Sequence, residues 1–179
     1  MALQLARHHT RRQRIVVCEG AYHGGLLYFG HGGEALLAPF DFTRARYNDT
    51  DALTAIDDSV AAVLIEPMMG AGGCIPAQQE YLTALRRRCD EMGSLLIFDE
   101  VITGFGRTGN PFGANTYDVQ PDMITMAKAM TNGAIPMSAV GVGEHVYKAI
   151  VEAAPDKGVD FFHGYTYSGH PAACAASLA

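Results

Sequence analysis

The chain has 179 residues, 49% of them hydrophobic and 18% charged, an ordinary balance for a globular protein with one sizeable core. Thirteen lysines and arginines against 19 aspartates and glutamates give a formal net charge of -6, which argues against a general nucleic-acid surface. No apolar run approaches the ~20 residues that span a bilayer. Residues 1–6 are too short an apolar stretch for a signal peptide and lack a preceding basic region. Cys18, Cys74, Cys89 and Cys174 show no CxxC or histidine-paired metal spacing, and are expected to be small buried residues of a cytoplasmic protein.

In chain order, residues 1–7 have helical composition without a Ser, Thr, Asp or Asn cap before them. Arg11, Arg12 and Arg14 form a short basic cluster, expected in a solvated loop. Residues 14–18 predict a strand, 22–25 a loop, and the glycines within 30–33 an irregular stretch. Residues 50–57 suggest a short helix capped by Thr50 or Asp49, and 60–65 a buried strand ending at Glu66 and Pro67. After a turn at 70–73, Pro76 is expected to start a helix with Tyr81, Leu82, Leu85, Cys89 and Met92 on one stripe, ended by Gly93. Strands follow at 95–98, 123–126 and 138–142, then a helix at 144–153 and a loop at 155–158. Residues 171–179 open as a small-residue helix with Pro171 in its first turn and no Gly or Asn to close it. A helix open at each end is the expectation for a piece of a longer protein. Short βαβ links imply an α/β fold with a mostly parallel sheet and flanking helices, and no domain boundary stands out.

The chemistry gathers at strand ends. The run 95–98 reads as a strand buried on both faces, with Asp99, Glu100 and a glycine-rich segment behind it. Ligands of open parallel sheets bind beyond the carboxyl ends of strands, so Asp99 stands where a cofactor would sit; the alternative is a solvated acidic turn. Lys128 also follows a strand, among Ala127, Ala129 and Met130. Burial there would lower its pKa and make it a nucleophile for carbonyls; otherwise it is a solvated charge. A carboxylate opposite it could hold a protonated pyridine nitrogen. A Schiff-base lysine and a pyridinium partner are the two groups that pyridoxal phosphate chemistry needs.

The segment FDEVITGFGRTG at 98–109 resembles the signature of class III (ω-) aminotransferases, pyridoxal phosphate enzymes of fold type I. So do Pro121 and Asp122, then Ala127 to Ala129, Gly133 and Pro136. Tyr22-His23-Gly24, Glu66-Pro67 and HGYTYSGHP at 163–171 add three matches in the family's order.

The resemblance implies roles residue by residue. Lys128 resembles the lysine that forms the Schiff base and shuttles the substrate proton. Asp99 resembles the partner of the pyridine nitrogen. Val101 resembles the residue under one ring face and Tyr22 the aromatic stacked on the other. His23 is expected behind them, and Glu66 to orient the Asp99 region. Thr166 resembles the hydroxyl that reaches the cofactor phosphate of the other subunit, which implies a homodimer with shared sites. The structural alternatives are Tyr22 as core, Glu66 as a strand-end cap and Thr166 as a loop hydroxyl.

Family members are roughly twice this length or more. A Gly-Ser/Thr-Glu-Ala-Asn type loop, whose backbone holds the phosphate at a helix N-terminus, normally precedes a helix like residues 1–7 and is missing here. An N-terminal segment and most of a C-terminal small domain, which usually supplies an arginine for the substrate carboxylate, are missing too. Residues 1–179 are therefore expected to be the central part of the large, cofactor-binding domain. Residues 123–140 and 162–168 resemble β-alanine (ω-amino acid):pyruvate aminotransferases. Residues 22–29, 39–42 and 47–49 resemble β-amino acid aminotransferases and glutamate-1-semialdehyde aminomutases. The favoured activity is transfer of an amino group from an ω- or β-amino acid to pyruvate or another 2-oxo acid. An aminomutase, racemase or decarboxylase on the same scaffold, or a remnant without activity, are the alternatives.

Overall fold

Strand β3 (Val60–Ile65) and strand β6 (Leu95–Asp99) are buried at every position, which happens only where a sheet is covered on both faces. They form the middle of a six-stranded sheet in the computed structural model, which describes residues 1–33 and 37–179. With β1 (Arg14–Cys18), β2 (Phe42–Ala45), β7 (Met123–Met126) and β8 (Ala139–Val142), the order is β2-β1-β3-β6-β7-β8. All neighbours run parallel except β7 and β8. The α/β architecture with a mostly parallel sheet is thus present, and its antiparallel edge strand puts the start of β8 at the carboxyl edge of the others.

Helix α1 (Ala2–Thr10) lies over β3, β6 and β7 and packs on α3 (Glu144–Glu152). Helix α2 (Gln79–Met92) lies on β3 and β6. Its predicted stripe is the buried one: Tyr81, Leu82, Leu85 and Cys89. Gly93 ends it at φ 63°, a left-handed cap that glycine adopts without strain. Among the described residues no helix is long and apolar enough to cross a membrane.

The structure corrects several expectations. β2 is an edge strand with Arg44 in it and without a long apolar run to announce it; its register is fixed from Ile15↔Phe42 to Cys18↔Ala45. Pro76 does not start α2. It closes a two-residue hairpin between β4 (Met68–Met69) and β5 (Ile75–Pro76) across the 70–73 turn. Asn48 then admits the helix, donating to the Pro76 carbonyl at 3.0 Å and accepting from the Gln78 amide at 2.8 Å. The helix expected at 50–57 is a 3-10 turn, Asp51–Ala55, and Asp49 rather than Thr50 accepts the free amides of Asp51 and Ala52. Cys18 and Cys89 are buried, but Cys74 is exposed on its turn and Cys174 half-buried. The basic cluster is not simply solvated. Arg12 is half-buried and one guanidinium nitrogen donates to the carbonyls of Val60, Met92 and Gly93 at 3.0, 2.9 and 3.2 Å, tying the end of α2 to the start of β3.

Candidate active site

The carboxyl edge of the sheet opens into a cavity of about 790 Å³, within the range of small-molecule sites. Leu64 of β3, Asp99 of β6, Thr125 and Met126 of β7, and Ala139 and Val140 of β8 line it. The first turn of α1 also faces it, through Ala2, Leu3 and Gln4, and that turn carries neither an acidic residue nor a side-chain cap. Its free amides and the positive end of the helix dipole suit an anion.

Asp99 and Glu100 are consecutive, so the pleat turns them apart. Asp99 lines the cavity. Its Oδ1 accepts the Val101 amide at 3.1 Å, and its Oδ2 lies 2.7 Å from His23 Nδ1. The His23 side chain is 2% exposed and that of Asp99 11%. Each carboxylate oxygen keeps a lone pair for a further donor. His23 Nε2 is buried without a partner among the described residues. The histidine arrives on a tight turn after β1, closed by His23 N–H to the Leu27 carbonyl (2.8 Å) and Leu27 N–H to the Gly24 carbonyl (2.9 Å). Gly24 sits at φ 111°, a conformation open to glycine.

Glu66 is buried and also reaches the cavity, but its carboxylate binds backbone. Oε1 accepts the Tyr22 amide at 3.1 Å and Oε2 the Gly70 amide at 2.9 Å. It therefore ties the Tyr22 loop at the cavity to the 70–73 turn. Tyr47 supports the same strand end by donating to the Glu66 and Pro67 carbonyls at 2.9 and 3.1 Å; burial pushes its hydroxyl well above the usual tyrosine range, so it stays a donor. The Tyr22 side chain lines the cavity and the residue is 44% exposed, so it is not core.

Lys128 lines the cavity as the strand-end reading expects, but it is exposed rather than buried. Its apolar neighbours in sequence do not enclose it, because it opens a 3-10 turn, Lys128–Met130, at φ 48°. Among the described residues its ammonium makes no hydrogen bond or ion pair. Thr166 is exposed and outside the cavity lining, while Tyr165 and Ser168 of the same segment belong to it. The structure thus brings Tyr22, His23, Glu66, Asp99, Val101 and Lys128 to one cavity and leaves Thr166 out of it.

Sequence reasoning missed other lining groups: Thr125, Ser138 and the ring of His163. Thr125 lies at the carboxyl end of a predicted strand, so the rule that found Asp99 would have found it; Ser138 begins its predicted strand, and only the antiparallel direction of β8 brings it to that edge. His163 stacks on Phe161 at a ring distance of 5.8 Å, a contact that no local pattern announces.

The class-III aminotransferase family model matches residues 41–179. The chain is 49% identical over 122 residues to an omega-amino acid–pyruvate aminotransferase of Pseudomonas putida, covering 68% of this chain and 27% of that enzyme. It superposes on a β-phenylalanine aminotransferase of Variovorax paradoxus with a TM-score of 0.87 and 38% identity, over 99% of this chain and 40% of that one. It superposes on an amine transaminase of an uncultivated Pseudomonas species, solved with pyridoxal phosphate bound, with a TM-score of 0.83 and 33% identity, over 99% of this chain and 48% of that one. The chain belongs to the class III aminotransferase family, and its fold is that of these transaminases. It spans less than half the length of the relatives it matches.

Proposed function

We propose that this chain is the central part of the large domain of a longer, homodimeric pyridoxal-phosphate aminotransferase, which moves an amino group from an ω- or β-amino acid to pyruvate or another 2-oxo acid. The observation that carries this is the meeting of the Asp99–His23 pair and the free amine of Lys128 in one cavity at the carboxyl edge. Family membership supports the reaction class. The donors and acceptor follow the relatives named for ω-amino acids with pyruvate and for β-phenylalanine.

The residues fit the cofactor on chemical grounds. When bound, pyridoxal phosphate supplies an aldehyde and a ring that accepts electrons from the substrate carbon. The remaining lone pair on either oxygen of Asp99 would hold the proton of the ring nitrogen, and the 2.7 Å contact to His23 fixes the orientation of the carboxylate. Lys128 Nζ, which has no other partner among the described residues, would be the amine that holds the cofactor's aldehyde carbon, and, once displaced by the substrate's amine, the base that moves the proton at the substrate carbon. Tyr22 and Val101 line the cavity from different loops and would flank the ring. The first turn of α1 would offer the phosphate its amides. Thr166, exposed and outside its own cavity, is placed in this reading at the phosphate of the partner subunit.

The test is an amino-transfer assay on the complete enzyme with β-alanine, or a β-aryl β-amino acid, and pyruvate. Alanine should form in step with loss of the donor. A donor that is isomerised, racemised or decarboxylated with no alanine formed would overturn the assignment in favour of another reaction on this scaffold.

A further inference from the structure

Glu100 has no part in the chemistry above, yet it is fully buried, more so than either Asp99 or Glu66. Among the described residues no cation pairs with it. Three donors converge on it instead. Oε1 accepts the Ala114 amide at 2.7 Å, and Oε2 accepts the Gly113 amide at 2.8 Å together with the Thr103 hydroxyl. Its own carbonyl accepts the Gly104 amide at 2.9 Å. Residues 101–112 contain no helix or strand and include Gly104, Gly106 and Gly109. Both ends of this loop therefore finish on one side chain. The far end is closely fitted: a Cβ added to Gly113 would lie 2.8 Å from Pro67 Cβ and 3.0 Å from Glu100 Oε2.

The near end of the loop is the cavity wall. Val101 and Ile102 both line the cavity. Ile102 packs against Gly70 so closely that a Cβ there would meet its Cδ1 at 2.4 Å. Gly70 is held by Glu66, which also holds Tyr22. The two loops that would flank a planar ring are thus each hung from a buried carboxylate, Glu66 for the Tyr22 side and Glu100 for the Val101 side.

We propose that Glu100 is a positioning residue: by closing the base of the 101–112 loop it seats Val101 and Ile102, and so sets the gap opposite Tyr22 in which the cofactor ring is bound. This rests on the reading of the cavity as a pyridoxal phosphate site. The shape of Glu100→Gln is nearly unchanged, but its amide nitrogen donates where the native oxygen accepts.

Three measurements on the complete enzyme test it, with Arg12→Met as a control that loosens the opposite edge of the sheet. The first is hydrogen exchange of the 101–112 amides without cofactor; the others are the dissociation constant for pyridoxal phosphate and the visible circular dichroism of the bound cofactor. Glu100→Gln should speed exchange in the loop and weaken cofactor binding, each by about tenfold, the size expected for one lost hydrogen bond to a charged group. The dichroism band should change with them. Thr103→Val, a milder cut at the same anchor, should move all three the same way by less, and it serves if the glutamine variant does not fold. Arg12→Met should lower stability and leave all three unchanged. Native exchange and binding in Glu100→Gln, or equal changes in Arg12→Met, would overturn the proposal. If the unaltered enzyme binds no pyridoxal phosphate, it is the cavity reading that fails, and the exchange data still decide whether Glu100 seats the loop.

Discussion

Replacing Lys128 by glycine should leave the protein more stable than replacing it by alanine, the reverse of the usual order. Lys128 sits at φ 48°, where an L-residue's Cβ crowds the following carbonyl at a cost of roughly 1–2 kcal/mol. Both variants lose the same exposed side chain, which makes no hydrogen bond or ion pair among the described residues, so that loss cancels in the comparison. Alanine keeps the crowded Cβ and glycine removes it. Glycine gives back about 0.5–1 kcal/mol through the larger entropy of its unfolded chain. The net is about 0–1.5 kcal/mol in favour of glycine. For a domain of this size that is a gain of up to about 6 °C in melting temperature. Differential scanning calorimetry of the two variants without cofactor measures it. A glycine variant that melts below the alanine variant would refute the reasoning, because at an ordinary helical or strand position glycine is the less stable of the two. The strain bears on the proposed site, because it falls on the residue proposed to carry the cofactor.

Other outcomes follow from the same geometry. Burial pushes the thiols of Cys18 and Cys89 up to about 12 from an ordinary 9.0. Their folded-state pKa is raised, so the stability they contribute is complete below pH 9 and is lost as pH rises toward 12; urea midpoints should fall across that window, and Cys89→Ala should flatten the slope. Asp122 accepts the Leu96 amide at 2.6 Å and Arg86 at 2.8 Å, with His145 at 3.1 Å, so Asp122→Ala should cost roughly 2–4 kcal/mol, read as a shift of the urea midpoint. In the complete enzyme, Lys128→Ala and Thr166→Ala should each be impaired alone, and mixing the two chains should restore about half the sites of each mixed dimer, by two-fold symmetry. No recovery after confirmed subunit exchange would show that Thr166 does not serve the partner's site.

Much of the sheet could be read from the chain because β1, β3 and β6 are apolar runs bounded by turns, and covered strands carry that pattern. The placement of Asp99 and Lys128 at one cavity was likewise legible, since it needs only strand ends and the carboxyl-edge rule. What failed depends on distant partners. β2 owes its existence to the β1 edge rather than to its own four residues. The start of α2 was displaced by Asn48, about 30 residues upstream. The exposure of Lys128 follows from its backbone angle, which the apolar letters around it do not encode. Glu100 looked like a twin of Asp99, and only the pleat and a helix start thirteen residues on give it a separate purpose.

The side chain that carries the cofactor decides the proposed function. The complete enzyme should be loaded with pyridoxal phosphate, reduced with borohydride, digested, and its labelled peptide sequenced by mass spectrometry. The label is predicted on Lys128. Label on Lys148 or Lys157, or none on Lys128 in an enzyme that has bound the cofactor, would contradict it.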